Sequence, residues 1–143
     1  AIILSKRQNA YTDKNTDIKR GDYLIIINGR PYTKKNSGRI VKMGAKRRLL
    51  PSEQYCQYET EALWQLKAYK ERFEGALIVT CHYYMPNRQA WPDLIGLLQA
   101  TSDILEKSGI IKNDKYIVSY GDSRIMGVDK QRPRVEIDIK VEA

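Results

Sequence analysis

The sequence is poor in the residues that most often build a metal or nucleophile site. His82 is the only histidine, which argues against a Ser-His-Asp triad or a histidine-rich metal centre, because both need imidazole as base or ligand. Cys56 and Cys81 are the only cysteines and stand 25 positions apart. They lack the close pairing of a zinc or redox motif and read as two free thiols. No apolar run approaches the roughly 18 residues of a membrane helix, and the Ile2, Ile3, Leu4 patch is too short for a signal peptide. A cytoplasmic protein without a membrane partner is expected. There is no internal repeat and no low-complexity tract.

What the chain does have is segregated positive charge. Its 143 residues fit about one domain with a sizeable core, and the formal net charge is +8. Residues 1–50 carry 13 Lys or Arg against Asp13, Asp17 and Asp22, whereas the remainder carries 12 basic and 14 acidic residues. Such asymmetry points to a polyanionic partner, nucleic acid or an anionic membrane surface. The lack of a basic amphipathic helix argues against the membrane surface.

Taken in order, residues 1–20 read as an N-terminal extension, partly ordered at best, and 21–143 as one domain. Tyr23–Asn28 is a β-rich apolar run ended by Gly29, fitting a buried strand. A turn-rich basic loop follows from Arg30 to Arg39, and Lys42, Lys46, Arg47 and Arg48 continue its charge. Cationic heads beside Ser, Asn and Gly are what phosphate contacts require, so Lys34, Lys35, Arg39, Lys42, Arg47 and Arg48 are candidate DNA contacts, with Arg88 further on. Ser52 looks like the N-cap of a helix reaching to about Arg72, with Tyr55, Ala62, Leu66, Tyr69 and Phe73 at helical spacing. Gly75 ends it, and Ala76–Tyr84 suits a central strand. Late in the chain, Tyr116–Tyr120 reads as a strand, Gly121–Arg124 as a turn leading into a loop to Pro133, and Val135, Ile137, Ile139 and Val141 alternate with charged residues as a period-two strand. This order predicts a mixed α/β fold, a small mixed sheet with two main helices packed on it.

The stretch from Trp91 to Asp114 carries the chemistry. At about 100° per residue, Leu94, Leu97, Leu98, Thr101, Ile104, Leu105 and Ser108 form one buried stripe. Asp93 lies in the first turn at the margin of that stripe, where the helix dipole favours an anion. Its simplest reading alone is charge complementarity at a helix start. Ile95 is an apolar residue off the stripe, and Gly96 interrupts a helix at a cost of about 1 kcal/mol relative to Ala; a glycine there would let a DNA backbone or a partner subunit come close. Asp114 follows 21 positions after Asp93. That length lets the helix run out and the next strand return, so the two carboxylates could converge. Mg²⁺ binds through one or two carboxylates plus water and phosphate oxygens, and such an ion supports phosphodiester cleavage.

On these residues the chain resembles the RusA family of Holliday junction resolvases, small homodimeric Mg²⁺-dependent endonucleases of bacteria and their prophages. The resemblance runs from about Gly21 to the C-terminus. It is sharpest over Pro92-Asp93-Leu94, through Asp103-Ile104-Leu105 and Gly109, to Asn113-Asp114, and includes the Pro31–Arg39 loop. It implies a RusA-like fold, a homodimer, branched DNA such as a four-way junction as substrate, Mg²⁺ (or Mn²⁺) as cofactor, and Asp93 and Asp114 as catalytic metal ligands. The family's helix opens with two aspartates one residue apart, then Asn, then a Lys one turn on, and an acidic pair follows the helix. Here the second aspartate is Ile95, the Asn is Gly96, the Lys is Gln99, and the first of the acidic pair is Asn113. Either Asp103, Asp122 or the Asn113 carbonyl completes the metal shell, or the protein binds branched DNA with weakened or no cleavage. Asp103 lies ten residues from Asp93, about 15 Å along the axis, and reads better as structural. Gln99 and Asp122 are candidate supports, and Lys112, beside Asp114, a candidate phosphate contact.

Overall fold

The computed structural model describes residues 24–34, 39–44 and 46–142; Lys35 and residues 1–20 lie outside them. The sheet is organised on one long strand, β4 (Leu77–Met85), whose residues alternate between buried and half-buried along its whole length. The expected central strand is therefore present. It is buried on one face by Leu77, Val79, Cys81, Tyr83 and Met85, as period-two side-chain placement dictates. On one side it pairs antiparallel with β7 (Arg134–Val141), from Leu77 opposite Val141 to Tyr84 opposite Arg134. Beyond β7, β1 (Leu24–Asn28) pairs antiparallel and forms the outer strand.

The other side of β4 is shared. Its first residues pair in parallel with β5 (Ile117–Ser119), and its last with β6 (Arg124–Val128). The strand β6 falls where the sequence suggested a loop. It is only five residues long and is interrupted by Gly127, which has φ 141° beside a register shift at Tyr83/Tyr84. The second basic run is likewise regular backbone: β2 (Arg39–Met43) and β3 (Lys46–Leu50) form a separate antiparallel hairpin, with Gly44 at φ 63° in its turn.

Both helices cover the same face of the sheet. The first, α1 (Glu53–Leu66), starts where expected: the Ser52 hydroxyl accepts from the Tyr55 N–H at 3.0 Å and satisfies one of the donors a helix start leaves open. It stops six residues before Arg72. The N–H groups of Lys67, Ala68 and Tyr69 turn to carbonyls three residues back, a tightening that ends the helix. Tyr69 and Phe73 serve the core from this extended connection. The Tyr69 hydroxyl accepts from the Ile26 N–H at 3.2 Å, and Phe73 bridges to Ile111. Helical spacing at those two positions was therefore a coincidence of packing.

The second helix, α2 (Leu94–Ser108), ends at Gly109, φ 86°. Its buried side consists of Gly96, Leu97, Ala100, Thr101, Ser102, Ile104 and Leu105, a stripe rotated from the expected one. Leu94, Leu98 and Ser108 are only half-buried, while the small Gly96 and Ala100 are covered. The two buried hydroxyls are satisfied: Thr101 donates to the Leu97 carbonyl and meets the Tyr83 hydroxyl at 2.7 Å, and Ser102 donates to the Leu98 carbonyl and meets that of Tyr120 at 2.8 Å. Tyr55, Tyr58, Ala62 and Leu66 of α1 join Leu97, Ile104 and Leu105 of α2 and the inward residues of β1, β4 and β7 in one core.

Candidate functional site

The unit β4–α2–β5 decides where the acidic residues stand. Because β5 runs parallel to β4, α2 must carry the chain back along the sheet, so its start lies at one end of the strands and its finish at the other. Asp93 is at the start. It is the N-cap residue, one position before the expected first turn; its carbonyl accepts from the Leu97 N–H at 3.1 Å, and its carboxylate makes no capping hydrogen bond. Asp114 is at the finish, as the first residue of a 3-10 turn (Asp114–Tyr116), and its N–H donates to Glu106 Oε1 at 3.1 Å. Glu106 is 13 residues beyond Asp93, about 20 Å along the axis at 1.5 Å per residue. The expected convergence of Asp93 and Asp114 within one chain does not occur. The chain turns at the C-terminal end of α2, with Ile110 and Ile111 fully buried and Asp114 tied to Glu106, and it returns along the helix only after Asp114, through β5 to Tyr120, whose hydroxyl meets that of Ser102.

The N-terminal end of α2 is tightly packed around Gly96. A Cβ there would meet Asp93 Oδ1 at 2.7 Å and the Thr33 methyl at 3.3 Å. What approaches this glycine within the chain is the protein's own carboxylate and its own loop. Ile95 faces away and is 72% exposed, consistent with its place off the apolar stripe.

About two turns further along α2, Lys34 of the loop reaches Asp103. Its ammonium stands 2.8 Å from Oδ2, with Lys107 Nζ at 3.6 Å from the same oxygen and 2.8 Å from Glu59 Oε2. Asp103 Oδ2 is buried without a well-directed hydrogen bond, so charge more than bond direction holds this cluster. Burial pushes the Asp103 carboxyl upward, but Lys34 and Lys107 outweigh it and hold it below its ordinary value. The Glu59 bond, against some desolvation, raises Lys107. Asp103 therefore has the structural partners its sequence position suggested. Lys34, Gly96, Gln99, Ala100 and Asp103 line a groove of about 360 Å³.

The remaining candidates are dispersed. The Asn113 side-chain oxygen accepts from the Lys115 N–H at 2.9 Å, capping the 3-10 turn. Asp122 Oδ1 meets His82 Nε2 at 3.3 Å, which places it against β4 rather than beside Asp114. Arg88 is exposed on the turn before α2, and Lys112 is exposed just before Asp114. Arg39, Lys42, Arg47 and Arg48 lie on the β2–β3 hairpin, where Lys42 is opposite Arg47 in register. Sequence reasoning passed over Arg30 and Thr33, which have no motif to mark them. Among the described residues, no group of three or more His, Cys, Asp or Glu could hold a metal ion, and Asp93 and Asp114 stand at opposite ends of α2 rather than in one such group. No described helix is long and apolar enough to cross a membrane.

The structure is thus an α+β domain, a mixed five-stranded sheet with two helices on one face, with an exposed aspartate at the start of the second helix and another just beyond its end. The family model for endodeoxyribonuclease RusA matches residues 28–140. The chain belongs to the RusA family. That membership supports nuclease chemistry on DNA. No individual curated protein matches the chain.

Proposed function

We propose that this protein is a structure-selective endonuclease that resolves Holliday junctions and related branched DNA by Mg²⁺-dependent phosphodiester hydrolysis, with Mn²⁺ as an alternative ion, and that it works as a homodimer in a bacterial or phage setting. The observation that carries the reading is α2 itself, an element of a RusA-family chain with one exposed carboxylate at each end. Since one chain holds these carboxylates about 20 Å apart, the active unit requires a second copy. Two copies of α2 laid antiparallel about a two-fold axis set Asp93 of one protomer near Asp114 of the partner subunit, twice over. A half-open groove of about 340 Å³ lined by Ile95, Leu98, Gln99 and Tyr120 offers apolar surface for such a contact. A two-fold dimer also matches a pseudo-symmetric four-way junction, which needs two matched incisions.

In this arrangement Asp93 carries the anion beside the positive end of α2. Lys34, Lys35, Arg39, Lys42, Arg47, Arg48, Arg88 and Lys112 neutralise phosphates around the bound strand, and Asp103 holds Lys34 in place. A bound divalent ion supplies water activation and leaving-group stabilisation.

The test is nicking of a labelled synthetic four-way junction in Mg²⁺ or Mn²⁺. Asp93→Asn and Asp114→Asn are each expected to abolish paired nicks. Mixing the two variants is expected to restore single nicks, because a mixed dimer contains one intact Asp93/Asp114 pair. Failure of the mixture with both variants dimeric would sink the shared site. A second reading, a branched-DNA-binding protein that does not cut, is favoured by Ile95 standing where the family has an aspartate; tight binding with no nicks under either metal would establish it.

A further inference from the structure

Beneath the Arg30–Thr33 segment lies a cavity of about 140 Å³ whose lining includes Arg30, Thr33, Ser52, Gln54, Ala90 and Pro92. Three features converge on it. The first is the start of α1, a 14-residue helix whose opening N–H groups have no helical acceptors and carry the positive end of its dipole. The second is Thr33, only 3% exposed, whose Oγ1 has no hydrogen-bond partner among the described residues. Its methyl is turned toward Gly96. The third is Arg30, whose guanidinium donates to the Ala90 carbonyl at 3.2 Å and lies 5.0 Å from the Tyr32 ring centre, while its buried Nε–H has no hydrogen-bond partner among the described residues. Two buried donors left unpaired in one cavity are costly. A helix start supplies the same polarity, and no carboxylate lines the cavity.

We infer that this cavity is a seat for a phosphate group, and, resting on the endonuclease reading above, that it takes a backbone phosphate of the DNA strand beside the one aligned at Asp93, the residue that directly follows Pro92. The guanidinium and Thr33 hydroxyl donate to its oxygens, and the first turn of α1 faces it. A backbone phosphate and a free phosphate share this chemistry, and only the DNA phosphate would couple the cavity to the position of the strand.

The test uses the full chain with two probes. Inorganic phosphate, followed by amide chemical shifts, is expected to move Thr33 and Gln54 saturably in the wild type and not in Thr33→Val. A four-way junction in Ca²⁺ is expected to bind about tenfold more weakly to Thr33→Val, the loss of one hydrogen bond to a charged group. Arg30→Gln should reduce the dependence of log K on log salt by about one contact. Because the free protein leaves the Thr33 hydroxyl unpaired, Thr33→Val should melt at or above the wild-type temperature, which separates a lost ligand contact from a lost fold. Phosphate shifts with unchanged junction affinity in Thr33→Val would overturn the DNA assignment and leave a small-anion site. Unchanged shifts and affinity, or a destabilised Thr33→Val, would overturn the cavity. If the wild type ignores junctions yet shows the phosphate shifts, the endonuclease reading and its DNA phosphate fall while the anion seat stands.

Discussion

The two ends of α2 are built on different principles. At its N-terminal end an ordinary helical glycine, Gly96, makes room for the Asp93 carboxylate and the Thr33 methyl, and position there is set by close packing. At its C-terminal end Gly109 adopts φ 86° with only Arg72 Nε, at 3.8 Å, near its missing Cβ, and position is set by backbone conformation and by the Lys115 and Asp114 N–H groups donating to the Asn113 and Glu106 side-chain oxygens. The difference teaches that one aspartate is held by what crowds it and the other by what caps its turn. Substitutions at the two glycines should therefore fail in different assays.

The largest effect is expected from Gly96→Ala. Alanine gains about 1 kcal/mol of helix propensity over glycine, but the added methyl displaces the Asp93 carboxylate or the Thr33 loop. Global stability should change little, whereas junction nicking should fall about 100-fold, the scale of a roughly 1 Å misplacement of a reacting group. Nicking at the wild-type rate would show that Asp93 does not need its observed position. Gly109→Ala should do the opposite. Nothing blocks its Cβ, but a left-handed conformation costs an L-residue about 1 kcal/mol, so the denaturant midpoint should drop while per-molecule nicking below that midpoint holds.

This asymmetry also explains how far the sequence could be read. The strands β1 and β4 were legible as β-prone apolar runs, and β7 and the body of α2 because one-sided burial writes itself as alternation or as helical spacing; Val135, Ile137 and Ile139 are all fully buried. The strand β6 and the end of α1 were not, because they depend on partners elsewhere in the chain. Asp93 and Asp114 were legible as carboxylates bracketing a helix. Their separation was not, since a spacing of 21 positions is compatible with return or departure, and only the parallel pairing of β4 with β5 decides it. The Thr33–Gly96 contact joins positions 63 residues apart and leaves no local trace.

A smaller and pH-dependent effect belongs to Asp103, which pins the loop to α2 between the two ends. Its folded pKa lies below its ordinary 3.8, so its stabilisation is fully present above that ordinary value and is lost as pH falls through the depressed folded value. Asp103→Asn should therefore lower stability by about 0.5 to 1 kcal/mol near pH 7, as for partly exposed pairs, and the gap to the wild type should close below pH 3.8. Urea midpoints of both proteins measured from pH 7 to pH 3 would show it. A gap independent of pH would mean that Asp103 acts by shape rather than by charge.

The smallest stability effect is expected from Ile95→Asp, and it separates the two readings of the N-terminal end. Ile95 is the second residue of α2 and 72% exposed, so little packing is lost. A carboxylate there is favoured by the helix dipole and opposed by Asp93 two residues earlier, and the net change should stay within about 0.5 kcal/mol, as for surface substitutions. If the aspartate missing from this position is what limits hydrolysis, junction nicking in Mg²⁺ should rise while binding in Ca²⁺ stays the same. A fall in nicking accompanied by dissociation to monomers in sedimentation would instead place Ile95 inside the contact between copies, and its apolar character would then serve assembly rather than mark a lost ligand.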